Sequence, residues 1–135
     1  QRKASEQAME FLMSVAEGRM RVDGDLVPFK AKASYFSYLH IDARPVAGQL
    51  PDMHLHYHNT ILPSVQIMDA QGRAIIDEKT GQPKMTTLNV EAIDRNRLVA
   101  DSLYQKVLSD ELMKIGINYV ANFEGECHIE GVSDV

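Results

Sequence analysis

"PDMHLHYHNT", residues 51–60, carries three of the chain's five histidines, one at every second position. Successive side chains of an extended strand point to opposite faces. His54, His56 and His58 therefore share one face, and Met53, Leu55 and Tyr57 share the other. The preceding stretch "SYFSYLHID", 34–42, alternates in the same way, with Tyr35, Ser37, Leu39 and Ile41 against Phe36, Tyr38, His40 and Asp42. Between them "ARPVAGQLPD", 43–52, is punctuated by two prolines and a glycine, and is expected to be a loop. If the two strands pair across it, their apolar faces must coincide, because a one-residue slip sends one apolar set into water. That condition forces His40 and Asp42 onto the histidine face. One register of this parity sets Asp42 opposite His54, His40 opposite His56 and Tyr38 opposite His58, with facing Cβ atoms roughly 4.5–5.5 Å apart.

The flanking sequence supplies hairpins and two helices. Ala8, Phe11, Leu12 and Val15 recur at helical spacing between Ala4 and Glu17, with Ser5 as N-cap and Gly18 as stop. "VDGD", 22–25, is a type I′ hairpin signal, joining a strand near 20–22 to one near 26–32, with Pro28 at an edge or break. "VQIMD" and "AIIDE" flank "AQGR" as a further hairpin, and "MTTLNV" is another short strand. From Asp94 to Lys114, Val99, Leu103 and Val107 form one stripe and Tyr104, Leu108, Leu112 and Ile115 an adjacent one, predicting a broad buried face that ends at Gly116. "INYVANF" and "ECHIEGV" close the chain as a hairpin around 124–125. The expected architecture is one α+β domain over 1–135. Its sheet is mainly antiparallel and built from hairpins, with an N-terminal helix and a long late helix packed on it.

Composition narrows the function. At 135 residues and 44% hydrophobic, the chain can bury a core without a cross-link. Its formal charge of −5 lacks the basic footprint of a general nucleic-acid binder and argues against anionic lipid. The single cysteine, Cys127, excludes an intrachain disulfide and fits a reducing, cytoplasmic setting. No apolar run approaches a membrane span, and Glu6, Glu10 and Glu17 break up the opening segment, which is thus not a signal peptide. The chain opens on Gln1, which suggests a fragment or processed product. Cys127 and His128 fall on opposite faces of a strand and make no nucleophile–base pair. Cys127 is expected to be structural, and Glu124, Glu126 and Glu130 to form a solvated edge.

The histidine face has two chemical readings. Imidazoles with a carboxylate suit a divalent Zn, Fe, Mn or Ni ion, so His40, His54, His56, His58 and Asp42 are candidate ligands. Phe36 and Tyr38 on the same face point instead to a covered surface, an interface with a partner chain or a second copy. "HLHYH" also resembles the His-hydrophobic-His core of the HUH endonucleases, which nick single-stranded DNA. That resemblance implies His54 and His56 as metal ligands and Tyr104 as a nucleophile, although Lys106 departs from the family's Tyr-x-x-Lys spacing. "DMHLH" is similar to the amidohydrolase opening, but the chain is too short for that barrel. "VQIMDAQGRA" resembles a cupin turn, with Pro63 where a cupin ligand Glu belongs.

The leading expectation from sequence is a non-catalytic binding or assembly domain that docks a protein partner or self-associates, without nucleic acid or membrane. The alternative is a small metal-dependent enzyme, a hydrolase or oxygenase, with the nickase as a variant.

Overall fold

The computed structural model describes residues 1–42, 53–121 and 127–131. The expected loop at 43–52, the turn at 124–125, and the side chains of His54 and Cys127 lie outside the described residues. The elements run α1 (Arg2–Ser14), β1 (Glu17–Val22), β2 (Asp25–Lys32), β3 (Tyr35–Asp42), β4 (Met53–Ile61), β5 (Ser64–Ile67), β6 (Met85–Leu88), α2 (Val90–Arg95), α3 (Arg97–Met113), β7 (Tyr119–Ala121) and β8 (Cys127–Ile129). This is the α+β class expected, with antiparallel pairing throughout.

The hairpin signal works as its chemistry dictates. Asp23 and Gly24 hold φ of 52° and 95°, the paired positive values of a type I′ turn, and Val22 pairs with Asp25. Pro28 sits opposite Arg19 on the β1 side, while β2 meets β5 only at Ala31 and Lys32. β1, β2, β5 and β6 close into a four-stranded barrel. Val65 and Ile67, two residues apart on β5, are fully buried, and Ala16, Ala31, Ala33 and Leu88 complete the apolar centre with Val65. The expected "AIIDE" strand is reduced to single bridges, Met68 with Ala74 and Ile76 with Pro83. Asp69 folds that segment back locally, accepting from the backbone N–H groups of Gln71 and Arg73.

Gly18 is not the helix stop that its spacing suggested. α1 ends at Ser14, and Gly18 lies in β1 between β2 and β6, paired with Phe29 and Leu88. A Cβ there would lie 2.4 Å from Thr86 Cγ2 and 3.1 Å from Val65 Cγ2. Thr86 can turn its methyl away only by giving up the hydrogen bond from its hydroxyl to the Arg19 carbonyl. Gly18→Ala is therefore expected to cost about 1–3 kcal/mol, read as a lower urea midpoint at unchanged m value.

α1 buries Ala4, Ser5, Ala8 and Met9, a stripe rotated from the one expected, and packs along α3. Ser5 is inside the helix, where its hydroxyl accepts from Asn59 Nδ2 at 2.9 Å and ties α1 to β4. The late helix breaks at Asn96, whose amide side chain donates to the Ala92 carbonyl, and α3 starts anew there. The broad buried face does not materialise. Ala100 and Val107 are buried, while Leu98, Val99 and Ile115 are exposed, because α3 is covered along only part of its girth, by α1 and β7. Gly116 does end it, with Gly116 N–H donating to Met113 and Ile117 N–H to Leu112.

Glu111 staples α1 to α3. One of its oxygens accepts from Lys3 Nζ at 2.7 Å and Lys114 Nζ at 2.6 Å. The hydrogen bonds from Lys114 and Lys3 hold its carboxyl down at about 2, from an ordinary 4.5. The charged form is favoured in the fold, so this contribution is complete above about pH 4.5 and disappears as pH falls towards 2. Thermal melts across that window should show a steeper acid loss for the wild type than for Glu111→Gln. Added salt should narrow the gap, because the group is near the surface.

Candidate metal centre

β3 and β4 form a two-stranded antiparallel ribbon outside the barrel. The register pairs His40 with His56, Tyr38 with His58, and Phe36 with Thr60. Parity thus brings His40, His56 and His58 to one face, with Leu39, Ile41 and Leu55 on the reverse. That reverse side is aligned but not buried: Leu39, Ile41 and Leu55 are about half exposed. α1 reaches the ribbon at Asn59.

The three imidazoles converge. Their rings lie 5.1 Å apart for His40–His56, 5.1 Å for His40–His58 and 4.7 Å for His56–His58. One ring nitrogen from each falls within 4.8 Å of the other two. His56 Nε2 and His58 Nε2 are 2.9 Å apart, a contact in which one nitrogen donates and the other accepts. His56 is partly buried, and His40 and His58 are exposed. Nitrogens bound at about 2.0–2.1 Å to one ion sit roughly 3 Å apart, so the donor set suits a transition metal.

Asp42 does not join them. The register slips between His40 and Asp42, so Asp42 pairs with Met53, not His54. Each strand alternates cleanly in sequence, and an extra residue on one strand leaves no trace in either pattern. Among the described side chains, the β4 histidines that meet are His56 and His58.

Tyr104 lies on α3, the helix packed against α1 and β7. Burial, and then the nearby Asp101 carboxylate, push its hydroxyl above the ordinary phenol range. Both effects oppose the phenolate that a nucleophile needs.

The model of the TrwC relaxase family matches residues 1–135. The chain belongs to the TrwC relaxase family. No curated protein sequence matches it. Solved structures of the conjugative relaxase TrwC share the fold of this relaxase-family chain at 18% identity. A metal-free complex with oriT DNA superposes with a TM-score of 0.71, over 98% of this chain and 42% of that one. A copper-bound complex with oriT DNA gives 0.70, over 98% and 41%. A complex with a 27-mer DNA comprising the recognition hairpin and the cleavage site gives 0.69, over 98% and 42%. The chain spans about two fifths of the length of these relatives.

These findings overturn the expectation of a non-catalytic, protein-docking or self-associating domain, and the inference from acidic charge against a nucleic-acid partner. The family is a relaxase family, and the solved relatives of this fold are held on DNA. Net charge misled because it sums over surfaces remote from the site. Glu6, Glu17, Glu91, Asp69, Asp110 and Glu111 all lie outside the β3–β4 ribbon and are paired with Arg or Lys, some within their own helix or turn and some across elements. Among the described residues of β3 and β4, Asp42 is the only carboxylate. The membrane expectation has a narrower counterpart: among the described residues, no helix is long and apolar enough to cross a bilayer.

Proposed function

We propose that the chain supplies the metal-holding part of a relaxase that binds DNA and takes part in cutting one strand. The carrying observation is the convergence of His40, His56 and His58 on one face of the β3–β4 ribbon. These three side chains would hold a divalent ion such as Zn, Mn, Ni or Cu, leaving coordination positions open towards solvent. When bound, the ion supplies Lewis-acid polarisation of a phosphate oxygen. The ribbon fixes two histidines on one strand and the third directly opposite, so the donor geometry is set by strand pairing and not by a loop. Asp42 and Tyr104 are outside this proposal. The single unit over 1–135 belongs to it, supported by the packing of α1 on both α3 and β4. A cytoplasmic setting follows from a DNA substrate.

Two titrations of untagged protein test the proposal. Calorimetry with Zn²⁺ and Mn²⁺ should show one equivalent bound. Fluorescence anisotropy with a labelled random-sequence single-stranded oligonucleotide pool should show binding that weakens with salt. Failure to bind the metal, or failure to bind the oligonucleotide pool, contradicts the proposal.

A further inference from the structure

The histidine face continues as a row of aromatic rings that the metal reading does not use. Tyr38 stacks on His58 with centroids 5.2 Å apart and planes 6° from parallel. Phe36 stacks on Tyr38 at 6.2 Å and 22°. The row thus runs from one proposed ligand, His58, through Tyr38 to Phe36. Phe36 is 51% exposed and Tyr38 47% exposed. Both lie on the face that carries His40, His56 and His58, and no described charged side chain of β3 or β4 interrupts the row between Phe36 and His58.

Large apolar rings left open beside a site are costly unless something covers them. The geometry favours a flat occupant. The rings are held near-parallel by strand spacing, so a further planar group can extend the stack. A nucleobase has that shape and offers a π-face whatever its identity, and stacking of this kind is available only to bases released from a duplex.

We propose that Phe36 and Tyr38 are a base-stacking platform that seats an unpaired nucleotide of single-stranded DNA next to the histidine site, Phe36 taking the base and Tyr38 linking it to His58. These are positioning residues, because they hold the strand and touch no reacting atom. The inference rests on the proposed relaxase reading and adds to it where the strand lies: along β3, away from the bulge at Asp42.

The test uses a single-stranded oligonucleotide pool carrying 2-aminopurine, whose fluorescence is quenched by stacking, with metal calorimetry in parallel. Wild-type protein should bind and quench. Phe36→Ala and Tyr38→Ala should weaken binding about 5- to 100-fold and relieve the quench, with metal affinity unchanged in Phe36→Ala, whose ring stacks on Tyr38 and not on a proposed ligand. Phe36→Leu, which keeps apolar bulk without a ring, should behave like the alanine variant, and Phe36→Tyr should restore binding. Equal binding and quenching by wild type, Phe36→Ala and Tyr38→Ala would overturn the platform while leaving the relaxase reading intact. A wild type that binds no single-stranded DNA overturns both. A concentration-dependent dimer abolished by Phe36→Ala would also overturn the platform, since a second copy would then occupy this face.

Discussion

Replacing His58 with alanine is expected to lower the affinity for a divalent transition metal about 100-fold, on the order of 3 kcal/mol. Among the described residues, no further His, Cys, Asp or Glu joins the group to replace His58. Its Nε2 is 2.9 Å from that of His56, and the neighbouring carboxylate, Asp42, is carried away by the register slip. Asp42→Ala should consequently leave affinity within a few-fold, which separates the ribbon geometry from the five-ligand set suggested by the strand pattern. Binding should also weaken in mild acid, because imidazole ligates only when neutral and must lose its proton to the metal. Calorimetry at two pH values in buffers of different ionisation enthalpy measures both effects. A His58→Ala protein that binds as tightly as wild type would remove this residue from the site.

The second large effect lies in the barrel. Ile67 is fully buried, paired with Ala31, and its N–H and C=O are engaged by Lys84 and Ile75. The backbone around it is therefore held, and truncation leaves a cavity that the strands cannot collapse to fill. Ile67→Ala is expected to cost about 2–5 kcal/mol, and Ile67→Val about 0.5–1.5 kcal/mol. A domain has only about 5–15 kcal/mol of stability in all, so the alanine variant should melt many degrees lower. Urea unfolding monitored by far-UV circular dichroism gives both values. A loss below about 1 kcal/mol for Ile67→Ala would mean that the four strands do not enclose a packed interior.

The local chemistry of the chain was legible where one residue pair or one alternation decides the outcome. Asp23-Gly24 specified its turn, and the alternation in 34–42 and 53–58 placed His40 across from His56. Legibility stopped where structure depends on partners distant in sequence. Barrel closure joins Gly18 to Leu88, a pairing that neither strand's pattern encodes. The break at Asn96 splits a helical period that runs on through it, and α3's apolar residues are matched by too little packed surface. The slip beyond His40 is invisible for a different reason, since a bulge preserves alternation on both strands. The site itself was half visible. The histidines stood out, and the register then brought His40, His56 and His58 to one point. The chemical class was obscured by a net charge that says nothing about how charge is distributed around the site.

X-ray absorption at the zinc edge of the loaded, untagged chain tests the central claim most directly. Three imidazole nitrogens at about 2.0 Å are expected in the wild type, falling to two in His40→Ala, His56→Ala and His58→Ala alike. A shell holding fewer than three imidazoles, or one that survives all three substitutions unchanged, would show that the β3–β4 ribbon does not gather these residues around a common ion.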